Sequence, residues 1–249
     1  MRIAFESFWL QKGGSRPDEY EDAFAPPLVT DDARDEFLCA VADGATETSF
    51  SGLWAQILVD AFAGKRLNHL RPERIETLSG EWQAEIDRRT RDKPLPWYAE
   101  EKLRAGAYSS LIGLYLRHDG TWGAVCVGDS CLFQVRPRQS IRAFPFHTPE
   151  QFNNRPTLIS TNSVSNGAIG ALLTRGEWQE GDCFLLMSDA LAHFFLSYRA
   201  ARARLLTPLS QPDFERLIVA ARRRKLCRND DVTLLIVRPS LGEPGGGVA

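Results

Sequence analysis

Four aspartates stand where an apolar run meets a turn: Asp22 in EYEDAF, Asp43 in AVADGA, Asp189 in LLMSDA and Asp230 in RNDDVTLL. An Asp placed at the end of a buried strand lies at the sheet edge, where its charge is not stranded in the core. Several such edges in one fold can aim carboxylates into a common cleft. Carboxylates brought together repel and raise one another's pKa unless a cation neutralises them. The companion that such a cluster calls for is a hard divalent ion, Mg²⁺ or Mn²⁺, with oxygen ligands. Taken singly, each Asp has a plainer explanation as an acidic turn residue or helix cap. The set is more informative than its members.

Other reactive types form weaker patterns. His69, His118, His147 and His193 show no His-x-x-x-His or Cys-x-x-His spacing, which speaks against zinc. Ser51-Gly52 lacks the Gly-x-Ser-x-Gly elbow, and no Gly-Lys-Ser/Thr follows Gly13-Gly14. Cys39, Cys126, Cys131, Cys183 and Cys227 are odd in number, widely spaced and without a C-x-x-C pair, so they read as buried reduced thiols. Arg199, Arg202, Arg204, Arg222, Arg223, Arg224, Lys225 and Arg228 make the C-terminal helices basic. They read as a solvated face compensating nearby carboxylates, with a docking surface for an acidic or phosphorylated partner as the sharper alternative. No aromatic residues interleave with the run, and no nucleic-acid partner is expected.

The elements that must position the aspartates follow from apolar periodicity. EFLCAVAD is a continuous apolar run broken by Asp43-Gly44, the pattern of a buried strand ending in a turn. In SFSGLWAQILVDAF, Leu53, Trp54, Ile57, Leu58, Ala61 and Phe62 recur at spacings of three and four, and Ser49 or Ser51 can cap that helix. A polar helical region covers 72–103, interrupted by Pro94 and Pro96. AYSSLIGLYLRHDGTWGAVCVGDSCLFQVR reads as an antiparallel meander with turns at Asp119-Gly120 and Gly128-Asp129. Residues 137–170 read as a long irregular surface segment. CFLLMSDA is a further strand, ALAHFFLSYRAARARLL and PDFERLIVAARRRK are amphipathic helices, and DVTLLIVRP is a closing strand.

Strands and helices are segregated rather than strictly alternating, which favours an α+β layered fold with antiparallel sheet. With 249 residues, 43% hydrophobic and 25% charged, the chain can bury a full core, and disordered or collagen-like classes are excluded. The reading is one domain over 1–240 and a loose tail at 241–249, SLGEPGGGVA without its first residue. A formal net charge of -2 provides no field to recruit nucleic acid or an anionic membrane. MRIAFESFWLQKGG is a poor signal peptide, and no long apolar run suits a transmembrane helix, so a cytoplasmic location is expected.

The order and context of these segments resemble the metal-dependent serine/threonine protein phosphatases, the PPM or type 2C family, in their bacterial form. SRPDEYEDAF resembles the family's opening Arg and Glu-Asp segment, VADGATE its Asp-Gly turn, and AGAYSSLIGLYL its small-residue strand. AVCVGDSCLFQV resembles its Gly-Asp-Ser strand turn, and CFLLMSDAL with NDDVTLLIV its closing acidic motifs. The resemblance spans roughly residues 12 to 238. It implies a four-layer α/β/β/α sandwich of two antiparallel sheets flanked by helices, with two Mn²⁺ or Mg²⁺ ions at one end. Asp22, Asp43, Asp189 and Asp230 become metal ligands, with Gly44 offering its carbonyl and Asp129 sharing a third, weaker site with Asp189. Arg16 becomes the substrate phosphate clamp, since a guanidinium fork matches phosphate oxygens. Ions about 3.5–4 Å apart would activate a bridging water for attack on phosphoserine or phosphothreonine. Phosphorylated proteins, and a serine/threonine kinase that makes them, are the implied partners in signalling.

The chain departs from the family pattern in places. Ala45 stands where some members carry a His general acid, Ala190 replaces the usual Gly of Ser-Asp-Gly, and Arg16 is one residue further from Glu21-Asp22. These departures support an alternative, a pseudophosphatase that binds phosphoproteins without turnover. A hydrolase of small phosphoesters is a third reading. The 137–170 segment resembles the family's flap, with HTPEQFNNRP as its candidate for substrate choice.

Overall fold

The inner strands of this chain carry apolar residues at consecutive rather than alternate positions, because they are covered on both faces. In β3 (Glu36–Asp43), Phe37, Cys39 and Val41 enter one core while Ala40 and Ala42 enter another. The computed structural model describes residues 1–29, 32–46, 50–67, 70–92, 103, 105–137, 141–153, 155–162, 166 and 169–241.

The element order is β1 (Arg2–Leu10), β2 (Asp22–Ala25), β3, α1 (Ser51–Ala63), α2 (Pro72–Thr90), β4 (Tyr108–Ser109), β5 (Leu111–Arg117), β6 (Thr121–Val127) and β7 (Cys131–Val135). Then follow β8 (Arg142–Phe144), β9 (Ile159–Ser160), β10 (Leu172–Glu177), β11 (Cys183–Met187), α3 (Asp189–Ser197), α4 (Arg199–Leu205), α5 (Gln211–Arg223) and β12 (Val232–Ser240). One antiparallel sheet has the order β1-β12-β11-β7-β8 and the other β10-β6-β5-β3-β2, with β4 and β9 as a separate short pair. The sheets face each other through Ile112, Leu114, Leu132, Phe184, Leu186 and Leu235. Trp54, Leu58, Val59 and Trp82 pack α1 and α2 on the second sheet, while Leu185, Phe195, Phe214 and Leu234 bind α3 and α5 to the first. The result is the expected four-layer α/β/β/α sandwich.

Several local expectations are corrected. The first residues form β1, which pairs with β12 along its whole length, from Arg2 opposite Ser240 to Leu10 opposite Val232. ALAHFFLSYRAARARLL is two helices, α3 and α4, broken at Tyr198, whose backbone is extended. Neither serine is shown capping α1: its N-cap is Phe50 at φ 60, and Ser51 instead donates its hydroxyl to Glu21 Oε1 at 2.6 Å. Ser49 lies outside the described residues, as do Pro94, Pro96 and 242–249. The 137–170 segment holds β8, β9 and a 3₁₀ turn at Pro149–Gln151. All five cysteines are free thiols, and all but Cys183 are buried.

At the start of β11 a buried charge joins two strands of the first sheet to the chain entering from β10. The Asp182 side chain is fully buried and accepts from Arg136 Nε at 2.9 Å and Nη2 at 2.8 Å. It also accepts from Gln134 Nε2 at 2.8 Å and the Gln179 N–H at 3.1 Å. These hydrogen bonds hold its carboxyl below the usual range, against burial that alone would raise it.

Candidate metal centre

β2 and β3 pair so that Asp22, the first residue of one, stands directly opposite Asp43, the last of the other. The turn after Asp43 is fixed by hydroxyls and backbone. Its carbonyl accepts from the Ser110 N–H at 2.9 Å and Ser109 Oγ at 2.9 Å, and its N–H donates to Ser110 Oγ at 3.2 Å. Ser110 Oγ in turn meets Ser130 Oγ at 2.7 Å, tying β3 to the start of β7. Gly44 is sterically required here. A Cβ at this position would lie 2.7 Å from the Ser51 carbonyl carbon and 2.8 Å from the carbonyl oxygens of Glu21 and Ser51. Backbone cannot swing aside as a side chain can, so Gly44→Ala should destabilise by about 1–3 kcal/mol and displace Asp43. A thermal melt and a divalent-ion titration of the variant check both effects.

Asp189 begins α3, and its Oδ1 accepts from the Ala190 N–H at 2.5 Å. Ala190 is a buried helical residue, not one of the positive-φ positions, so Ala in place of Gly introduces no strain there. Asp129 follows Gly128, whose φ of +94 turns the chain between β6 and β7. Asp230 precedes β12, and its carbonyl accepts from Arg222 Nη2 at 2.5 Å. Its neighbour Asp231 has a different task. Asp231 takes the N–H groups of Lys12 and Glu21, each at 2.7 Å, and so holds the loop that delivers Asp22. Asn229 grips the same loop, accepting from the Gly13 N–H at 2.7 Å and donating to its carbonyl at 3.1 Å.

These segments enclose a cleft of about 630 Å³ lined by Asp43, Gly44, Asp129, Asp189 and Asp230, with Ala45, Tyr108 and Asn153 nearby. Asp22 is not part of its wall but stands beside Asp43 on the neighbouring strand. Arg16 is not brought to the cleft: it is exposed and ion-paired to Asp18 and Glu19, each at 3.4 Å. Two other arginines are present instead, Arg155 from the 137–170 segment and Arg228. Sequence reasoning did not place either there. The signal for Arg228 was its position two residues before Asp230 in RNDD, submerged in the basic run around it. Within that run, Arg202 and Arg222 also turn inward. Arg202 donates to the Phe195 and Leu196 carbonyls at 2.9 and 2.7 Å, and Arg222 to Gln11 O at 2.8 Å.

The electrostatics are those of like charges held together. Burial, offset in part by Thr233 and Ser188 hydrogen bonds and reinforced by Asp231 and Asp189, pushes Asp22 up to about 8. Asp43 is raised well above the usual carboxylate range by burial and then by Asp22, Asp189, Asp129 and Asp230. Burial and Asp189 bring Asp129 to about 7, and burial and Asp230 raise Asp189 against the pull of Arg228. The donor set is entirely hard oxygen. Asp22 supplies the sharpest fit: Oδ2 accepts from Thr233 Oγ1 at 2.6 Å, while Oδ1 is buried without a partner. Thr233 Oγ1 is itself fixed by the Tyr20 hydroxyl. Among the described residues no group of three or more His, Cys, Asp or Glu side chains stands close enough together to hold a metal ion. The carboxylates that line the cleft are of the ligand type that hard divalent ions take.

A pH effect follows. A carboxyl whose folded pKa is raised stabilises the fold below its unfolded pKa, and that contribution is lost as pH rises through the folded value. Metal-free protein should therefore melt at falling temperature between pH 6 and 9, as Asp22 ionises near 8. Added Mn²⁺ should remove the trend, and thermal melts in chelator and in Mn²⁺ measure it.

The same architecture occurs in solved phosphatases. The serine/threonine phosphatase PstP/Ppp of Mycobacterium tuberculosis superposes with a TM-score of 0.61 at 17% identity, covering 97% of this chain and 100% of that one. The photosystem II phosphatase PBCP gives 0.62 at 15%, covering 96% and 99%. RsbX in complex with magnesium gives 0.56 at 17%, covering 96% of each chain. Such identities establish the fold. The chain belongs to the protein phosphatase 2C family, whose sequence model matches residues 16–225. It is thereby a phosphoprotein phosphatase of the serine/threonine, divalent-metal-dependent class. No curated protein sequence matches it significantly. Among the described residues no helix is long and apolar enough to cross a membrane.

Proposed function

We propose that the protein hydrolyses phosphoserine and phosphothreonine in proteins with two divalent ions held by Asp22, Asp43, Asp189, Asp230 and the Gly44 carbonyl. Asp129 with Asp189 would offer a third, weaker site. The observation that carries this reading is that Asp43, Asp129, Asp189 and Asp230 line one cleft between the ends of the two sheets, with Asp22 Oδ1 buried and unpartnered beside them. When bound, the ions supply Lewis-acid charge and lower the pKa of a water for attack on phosphorus.

The chain's own residues set the geometry. Thr233 and the Asp231-held loop fix Asp22, and the Ser109–Ser110–Ser130 hydroxyls fix Asp43. Ala45 has no side-chain proton to give, and its N–H is committed to Tyr108 O at 2.9 Å. Protonation of the leaving alkoxide is therefore assigned to solvent entering the open cleft. A serine/threonine kinase would supply the phosphorylated protein that this site consumes.

The test is hydrolysis of p-nitrophenyl phosphate and a phosphothreonine peptide in Mn²⁺ or Mg²⁺ against EDTA. Turnover of the peptide that requires metal supports the reading. Metal-loaded protein that binds phosphopeptide without turnover would instead establish a phosphoprotein-binding module, and turnover confined to the small ester would establish a small-phosphoester hydrolase.

A further inference from the structure

The acidic cleft contains a cation of its own. Arg228 Nη1 stands 3.3 Å from Asp189 Oδ2, with the guanidinium side chain 40% exposed and the carboxylate 14%. Its backbone is pinned on both sides. Cys227 is buried, with Sγ 3.8 Å from the Ala190 carbonyl, and Asn229 is locked to Gly13. The arginine is thus delivered to the cleft wall by fixed chain. Of its guanidinium nitrogens, Nη1 alone meets a protein acceptor among the described residues. The remaining donors form an edge of the kind that pairs bidentately with phosphate oxygens. Arg16, by contrast, is 72% exposed and occupied by its own neighbours, Asp18 and Glu19.

We propose that Arg228 is the phosphate-binding arginine of this chain, held at the cleft wall by Asp189 and turned to the substrate phosphate when divalent ions take that carboxylate. The inference rests on the metal-dependent reading above and adds a residue to it. The physical basis is competition. Arg228 and a divalent ion seek the same Asp189 oxygens, and a guanidinium beside a newly arrived cation is repelled from it. A phosphate dianion attracts both. Metal and phosphate should then favour each other's binding, while metal and Arg228 oppose each other at Asp189.

The experiment compares Arg228→Ala and Arg228→Lys with the wild type, with Arg16→Ala and Arg155→Ala alongside. Calorimetry reads Mn²⁺ affinity and the binding of inorganic phosphate to the Mn²⁺-loaded protein, and kinetics on a phosphothreonine peptide separate KM from kcat. Loss of charge-assisted hydrogen bonds in Arg228→Ala should weaken phosphate binding and raise KM by roughly 10- to 100-fold, with a smaller change in kcat. Lys restores the charge but not the fork and should recover part of the loss. Mn²⁺ should bind Arg228→Ala about two- to fivefold more tightly, since a half-exposed competing ion pair is gone. A merely structural role would weaken metal and phosphate together. The inference is overturned if phosphate affinity and KM are unchanged in Arg228→Ala, if Mn²⁺ binding weakens, or if the loss appears in Arg16→Ala or Arg155→Ala instead. Asp43→Asn separates the two levels. If that variant keeps Mn²⁺ binding, the metal site itself is wrong. If it loses Mn²⁺ while Arg228→Ala behaves as wild type, only the role of Arg228 fails.

Discussion

Asp43→Asn should fold as the wild type does and lose metal-dependent turnover. Residues that merely support metal ligands cost about 10–100-fold when removed, so replacing Asp43, a direct ligand in the proposed function, should cost at least about 100-fold. Asn keeps the shape of Asp, and the Asp43 N–H and carbonyl that hold the turn are backbone groups. The variant also separates stability from function. Burial and then four other aspartates raise Asp43, so a neutral amide there relieves both the desolvation cost and the repulsion, and metal-free Asp43→Asn should melt higher than metal-free wild type at pH 8. Turnover at the wild-type rate, or a lower melting temperature in chelator, would refute this placement of Asp43.

The second large effect lies at the other end of β11. Asp182→Ala removes the acceptor of Arg136, Gln134 and the Gln179 N–H together. Breaking a buried pair from one side costs about 3–5 kcal/mol, and because Arg136 is partly exposed and can rehydrate, the lower end, about 3 kcal/mol, is expected. For a chain of this size that is a fall of roughly 6–12 °C in melting temperature. A carboxyl held below its usual range stabilises the fold above its unfolded pKa, about 3.9, and that contribution goes only as pH falls through the folded value. The stability gap between wild type and Asp182→Ala should therefore be flat from pH 8 to 5 and close in stronger acid. Denaturant melts across that range measure it, and a gap that widens toward acid would refute the assignment.

The strands at the heart of the sandwich were legible because they are buried on both faces. EFLCAVAD, CFLLM and VTLLIV are continuous apolar runs, and each carries a site aspartate at or beside one end. β1 was obscured because RIAFESFWL places Glu6 and Ser7 among its apolar residues, and among the described residues its one sheet partner is the distant β12. β2 is four residues long and offers no period to read. The break between α3 and α4 leaves no Gly or Pro in the sequence: Tyr198 is extended, with Phe194 buried and Arg202 turned back onto Phe195 O. At the site, strand ends announced the carboxylates, whereas the basic residues that face them were not announced. An arginine's long side chain reaches wherever tertiary packing sends it, and neither the displacement of Arg16 nor the arrival of Arg155 and Arg228 has a local signature.

The pairing of β1 with β12 sets a condition on synthesis. Arg2 faces Ser240, and Asp22 is secured by Thr233, 211 residues further along the chain. Domains made on the ribosome begin folding from the N-terminus, but here, among the described residues, β1 pairs with β12, which emerges more than 200 residues later. Contacts so distant in sequence also close slowly. A nascent chain lacking β12 would present β1 as an unpaired edge and Asp22 without its hydroxyl support. The acidic centre becomes complete only once β12 has been made.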